Sequence, residues 1–235
     1  MKKIFAIISV VCITGIVAAQ DNKPETKFRF GFKVAPSIAW MKPDVKYFSS
    51  DGSRIGFIYG LMFDYNLSKN YAIGTGIEVS YRGGKLKYNY DFSSGNTIHT
   101  YSGDDTYMLK YIELPVTIKM KTNEIGYMTY FGQFGLQPAF KISAKEDYAQ
   151  KKTTPSVTPK DTSETDVNVD VSPINLSLLF AIGAEYRISG NTSIVVALQF
   201  SNGFTDVLTG TNHDDTSTEL KAISNYFSLN VGVFF

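Results

Sequence analysis

The last fourteen residues, Ala222 to Phe235, constrain the fold more than any other stretch. Taken every second residue from the end they read Phe235, Val233, Val231, Leu229, Phe227, Asn225 and Ile223, apolar at every place but one. The other register reads Phe234, Gly232, Asn230, Ser228, Tyr226, Ser224 and Ala222, small or polar apart from its aromatics. A period of two over this length specifies an extended strand with one apolar and one polar face. The same pattern at similar length recurs through the chain, which predicts a transmembrane β-barrel, apolar outside and polar inside.

Seven further strands follow the rule. Phe28 to Trp40 sets Phe28, Phe30, Phe32, Val34, Pro36, Ile38 and Trp40 against Arg29, Gly31, Lys33, Ala35, Ser37 and Ala39. The others span Ile55 to Asn66, Tyr71 to about Tyr88, Tyr107 to Met120, Tyr127 to about Ile142, Pro173 to Arg187 and Thr192 to Phe204. Three connections are short and rich in turn residues: Leu67 to Asn70, Lys121 to Gly126 and Ile188 to Asn191. Four are long: Met41 to Arg54, Asn89 to Thr106, Ala144 to Ser172 and about Thr205 to Lys221. Strict alternation of long and short is the asymmetry of an outer-membrane barrel with short periplasmic turns and long outer loops. The predicted fold is therefore all-β: an eight-stranded antiparallel up-and-down transmembrane β-barrel with both termini periplasmic, in the outer membrane of a Gram-negative bacterium. A soluble lipocalin-like barrel competes, but it would put its large apolar residues inside. Here the register opposite the large apolar one is rich in Gly, Ala and Ser, which suits a narrow interior.

Ahead of the barrel, Lys2 and Lys3 precede an apolar run from Ile4 to Val17, and Val17-Ala18-Ala19 offers small residues for cleavage. This predicts a signal peptide over 1–19, a short periplasmic segment over 20–27 and the barrel over 28–235. Cys12, the single cysteine, falls within the signal, so residues 20–235 carry no thiol. Losing Lys2 and Lys3 takes the formal charge from +1 to −1, which argues against nucleic acid as a partner. The 15 Tyr and 17 Phe suit the two aromatic girdles of a barrel.

At Tyr111-Ile-Glu-Leu-Pro-Val116 the chain resembles the PorT-type outer-membrane β-barrel family of Bacteroidota, whose middle strand carries a Tyr-x-Glu-aliphatic-Pro stretch. The family motif falls on Tyr111, Glu113 and Pro115. The segment Phe30-Gly-Phe-Lys-Val34 is similar to the family's first strand, though Pro36 stands where the family often has Gly. The resemblance implies an eight-stranded outer-membrane barrel. The member that names the family is associated with type IX secretion, but most relatives have no defined activity, so the resemblance does not carry that role to this chain.

The inward register collects Arg29, Lys33, Asp64, Glu78, Arg82, Glu113, Lys119, Glu185 and Arg187. An eight-stranded barrel has room inside only for its own side chains, and buried charges must be paired. These residues are therefore expected to form an ion-pair network filling the lumen, with Glu113 and Glu185 nearest to cations; a proton or ion path is the alternative. Pro115 is expected to mark a bulge with a widened interior beside Glu113, and Pro36 and Pro138 similar ones. The stretch Thr165-Asp-Val-Asn-Val-Asp-Val171 is expected to extend the following strand outward.

His99 and His213 fall in long loops near Ser102, Asp104, Asp105, Asp214, Asp215 and Ser217, but no nucleophile motif joins them. The expected function is a non-enzymatic outer-membrane protein with a structural or interaction role and no cofactor. The alternatives are a small-solute channel or carrier and a lipid-modifying enzyme. Expected partners are outer-membrane lipid and lipopolysaccharide, a protein partner in the envelope, and the barrel assembly machinery reading Phe235.

Overall fold

The structure is a computed structural model describing the backbone of residues 26–45, 48–94, 97–153, 160–209 and 221–235, and their side chains except 90–101 and 148–164. The predicted signal peptide, most of the 20–27 segment, Cys12 and His213 lie outside the described residues.

The chain forms β1 (Phe28–Pro43), β2 (Phe48–Asn66), β3 (Tyr71–Ser94), β4 (Thr97–Glu113), β5 (Val116–Lys121), β6 (Met128–Thr153), β7 (Lys160–Asp166), β8 (Ile174–Ser189), β9 (Thr192–Gly203) and β10 (Ala222–Phe234). β4 and β5 are two halves of one stave, since both pair with β3 on one side and β6 on the other. Among the described residues β7 pairs only with β6. Eight antiparallel staves remain, and β10 closes the ring on β1 from Gly31↔Phe234 to Pro43↔Ala222. Closure leaves no unpaired edge facing lipid, the condition a sheet must meet to span a bilayer.

The short connections and both described chain ends lie at one end of the barrel. Gly126 and Gly190 turn the chain there with left-handed φ of 65° and 54°, conformations that cost other residues a Cβ clash. At the opposite end much of the described chain in two of the long connections, 89–106 and 144–172, is strand rather than loop. β3 and β4 run on as a hairpin to Ser94↔Thr97, β6 follows β4 out to Thr100↔Thr153, and β7 folds back on β6. A small sheet, β3-β4-β6-β7, thus projects beyond the barrel. The Val-alternating stretch does not extend β8. Asp166 ends β7, a turn follows over 168–170, and Val167 and Val171 are buried, leaving Val169 exposed.

Side-chain direction follows the alternation. Large apolar residues such as Phe32, Ile38, Ile77, Leu198 and Leu229 are exposed on the outer face, while their neighbours in sequence are buried. Trp40, Phe200 and Phe227 stack towards the projecting end, with Phe200–Phe227 centroids 4.7 Å apart. Phe28 with Tyr65, and Tyr127 with Tyr186, mark the other border. These are the two girdles of a membrane barrel.

The prolines make no bulge. Glu78↔Glu113 and Thr75↔Val116 on β3, and Glu113↔Ala139 and Val116↔Leu136 on β6, keep one register across Leu114 and Pro115. Leu114 N–H donates to Pro138 O at 2.9 Å, so the donor that Pro115 lacks would have faced β3. Pro36 pairs with Phe57 and Pro138 with Leu176 in unbroken register. The missing donor of Pro115 faces β3 and that of Pro138 faces Leu114, so each proline interrupts a different ladder, and the strand breaks only over Leu114 and Pro115 without a change of register. A cavity of about 50 Å³ lies by Pro115, but it opens towards Glu78 and Lys33, and Glu113 is fully buried.

Beyond the girdle the polarity of the barrel inverts. Along β3 the apolar residues Ile77, Val79 and Tyr81 point outward, whereas past Gly83-Gly84 Leu86 and Tyr88 point inward and Lys85 and Lys87 outward. Leu86 joins Met41, Tyr107, Leu109, Tyr111, Val167, Val171, Val207 and Leu208 in an apolar cluster inside the projecting end. A strand leaving the bilayer meets water on its outer face, so its apolar side chains gain by turning inward.

Candidate functional site

Within the membrane band the interior is built on charge. Small inward residues leave the space. A Cβ on Gly60 would come 3.1 Å from Glu78 Cγ, and one on Gly74 2.7 Å from Thr117 Oγ1. Into that space project four cations and four carboxylates, in a run of pairs along the axis.

Nearest the short-turn end, Arg29 on β1 meets Glu185 on β8 at 2.7 Å and donates to Ser193 Oγ at 2.6 Å. Lys119 on β5 lies 2.6 Å from the same Glu185 and 2.8 Å from Asp64 on β2. Midway, Lys33 on β1 pairs with Glu78 on β3 at 2.7 Å. Deeper, Arg82 on β3 approaches Glu113 on β4 at 3.3 Å and donates to Asn175 Oδ1 at 3.1 Å. Glu113 also accepts from Ser80 Oγ at 2.7 Å, Gln137 Nε2 at 2.7 Å and the Tyr226 hydroxyl at 2.9 Å. Aromatic faces cover the cations: Arg82 lies 4.3 Å from the Tyr111 ring centre, Lys119 4.3 Å from Phe131 and Arg29 4.5 Å from Phe234.

Eight of the nine charges singled out in the sequence thus come together. The ninth, Arg187, does not enter the network. It sits half-exposed at the short-turn mouth, 2.5 Å from Glu124 in the Lys121–Gly126 turn. Without it the interior is balanced, four against four, as a low-dielectric site requires. Of the two carboxylates expected nearest cations, Glu185 holds two at close range. Glu113 is held mainly by neutral donors, and Glu78 has the closer lysine.

The motif residues lie together: Tyr111 under Arg82, Glu113 at the hydrogen-bonded hub, Pro115 at the ladder gap. Neutral residues of the inward register, not singled out as site residues in the sequence, complete the site. Gln137, Gln199 and Tyr226 link β6, β9 and β10 around Glu113, with Ser201 donating to Gln137 Oε1 at 2.9 Å. Their one sequence signal is that each is a polar residue in an inward register. Phe235 N–H donates to Phe30 O at 2.8 Å, and its ring packs on Phe30 and Phe32 at 5.9 and 6.3 Å on the outer face.

In the projecting end, Tyr107 is buried beside Glu146 and Asp105, and burial first, then those carboxylates, pushes its phenol well above its usual range. Asp105 points inward while Asp104 is exposed; the side chain of His99 lies outside the described residues. Among the described residues no group of three His, Cys, Asp or Glu could hold a metal ion.

A blind cup of about 370 Å³ opens at the short-turn end, its floor formed by the Arg29–Glu185 pair.

A family model described as outer membrane protein beta-barrel domain matches residues 18–209, up to but not including β10. Comparison with curated proteins finds no match. Among solved structures, the chain is similar to Neisserial surface protein A, at 11% identity and a TM-score of 0.46, covering 90% of this chain and 98% of that one. It is similar to OprG of Pseudomonas aeruginosa, at 10% identity and a TM-score of 0.43, covering 89% and 96%. It is also similar to a major outer membrane protein of Thermus thermophilus, at 14% identity and a TM-score of 0.43, covering 88% and 98%.

Proposed function

The chain belongs to the outer membrane protein beta-barrel domain family, and on that premise we propose that it is a closed, non-enzymatic barrel that presents its projecting sheet to a partner outside the cell. The observation that carries this reading is how the interior is filled. Paired charges occupy the membrane band from Arg29 to Glu113, and the apolar cluster around Leu86, Leu109 and Val207 stops the projecting end. A solute channel needs a continuous polar path, and an apolar stopper above a salt-bridged core opposes one.

The projecting sheet and long connections face outward, and the short turns and both termini face the periplasm. Phe235, with the outward face of β10, serves as the signal read by the assembly machinery. Within the family, the Tyr111-Ile-Glu-Leu-Pro-Val116 segment supports a PorT-type member from Bacteroidota. No catalytic role is assigned to His99, because no nucleophile motif joins it to the neighbouring Ser102, Asp104 and Asp105.

Planar-bilayer recording tests the closed state. The folded protein should give no stable conductance, and large ohmic steps would establish the channel reading instead. Protease added to intact cells tests orientation: cleavage is expected in the long connections, and cleavage at Ser68 or Gly190 with the membrane intact would invert the topology.

A further inference from the structure

We propose that the cup at the short-turn end is a binding site for a small hydrophilic polyanion, a solute carrying two neighbouring phosphate or carboxylate groups. The cup holds about 370 Å³, and no apolar side chain lines it. Small-molecule sites are mostly apolar, so a lining of charged and polar residues favours a hydrophilic ligand.

Its charge selects the sign. Arg29, Lys69, Lys121 and Arg187 line it against only two carboxylates, Glu124 and Glu185. Arg29 and Arg187 are each held by one of these, at 2.7 and 2.5 Å. Lys69 and Lys121 make no ion pair among the described residues. The Lys121 ammonium instead donates to a neutral acceptor, Asn66 Oδ1, at 2.6 Å. Asn66 in turn is fixed by its own amide, which donates to Thr26 O at 2.8 Å. A half-buried cation held by a neutral amide is poised for an anion and is not already satisfied by one.

The shape selects a bound solute rather than a passing one. Behind Arg29 and Glu185 the Lys119–Asp64 pair at 2.8 Å continues the floor, so the cup is blind. Two lysines without carboxylate partners, flanked by hydroxyls and amides, match a ligand with two anionic groups better than a monoanion. The inference does not depend on which way the barrel faces.

Calorimetric titration of the folded protein in detergent tests it, with inorganic pyrophosphate and citrate as probes. Saturable one-site binding of either is expected, weakening as salt is raised. Binding of pyrophosphate alone assigns the phosphate class, and of citrate alone the carboxylate class. The Lys69→Gln/Lys121→Gln variant should bind at least about tenfold more weakly. Lys69→Gln by itself, an exposed turn change, should weaken binding with folding unaffected, which keeps the test valid if Lys121→Gln misfolds. Lys85→Gln/Lys87→Gln, at the opposite end, should bind as the parent does. Failure of both probes to saturate, or equal weakening in the Lys85/Lys87 control, would overturn the proposal.

Discussion

Removing the Lys119 charge gives a quantitative handle on the interior. Lys119 is about 2% exposed and touches Asp64 and Glu185 at 2.8 and 2.6 Å. In Lys119→Met, Glu185 keeps Arg29 at 2.7 Å, but Asp64 loses its one ion-pair partner among the described residues and the interior carries a net negative charge. Breaking a buried pair from one side costs on the order of 3–5 kcal/mol, because the remaining charge stays desolvated and uncompensated. Lys119→Met/Asp64→Asn restores neutrality while leaving Arg29–Glu185 intact. It should recover at least about half of that loss, a coupling well above the ~1 kcal/mol of an exposed pair. The chain contains one tryptophan, and Trp40 stacks on Phe200 and Phe227 at the girdle, so its fluorescence follows unfolding in denaturant without an added probe. A loss below about 1 kcal/mol for Lys119→Met, or additive losses in the double variant, would refute the reasoning, since either means that water solvates the pair.

Other substitutions separate the faces and the gap. Leu229→Arg puts a charge on the lipid face and should cost about 2–4 kcal/mol near the midplane, read as loss of the heat-modifiable folded form. Asn230→Ser, one residue away, removes the inward hydrogen bond to Gln199 at 2.9 Å and should leave folded levels nearly unchanged. Deleting Phe235 strips its backbone bond and ring contacts to β1 and should lower the folded population in the outer membrane. Pro115→Ala returns a donor facing β3 in an unshifted register, so its stability in denaturant should stay within about 1 kcal/mol of the parent or rise; a large loss would mean that the ladder gap is required.

Much of the fold is written in single residues. Because the period is two, Phe227-Ser228-Leu229-Asn230 states its own faces, and the ring of eight follows from counting such runs and the turns between them. Cross-strand facts are not written that way. Lys119 meets Glu185 only because β5 and β8 flank β6 at one register, and no local pattern encodes 66 residues of separation. The neutral hub of Gln137, Gln199 and Tyr226 is hidden for the same reason. The polarity switch was legible: Tyr81 on one register gives way to Leu86 and Tyr88 on the other, across Gly83-Gly84. A single period-two reading carried past the bilayer surface overlooks it. Val167, Val169 and Val171 alternate like a strand, yet burial of the outer two in the apolar cluster and a turn between them win over local propensity. Arg187 obeys the inward parity, but it lies so close to the mouth that parity leads to solvent and Glu124.

The most direct test of the account is cysteine accessibility along β3 in lipid vesicles, starting from residues 20–235, which contain no native cysteine. Single cysteines at Ile77, Ser80, Tyr81, Lys85, Leu86 and Lys87 would be reacted with a charged, membrane-impermeant thiol reagent and with a lipid-soluble one. The account predicts that positions 77 and 81 react only with the lipid-soluble reagent, 85 and 87 with the charged one, and 80 and 86 with neither. Fast reaction of position 80 with the charged reagent would reveal a water-filled lumen, and protection of position 77 from the lipid-soluble reagent would mean that the apolar face does not meet the bilayer.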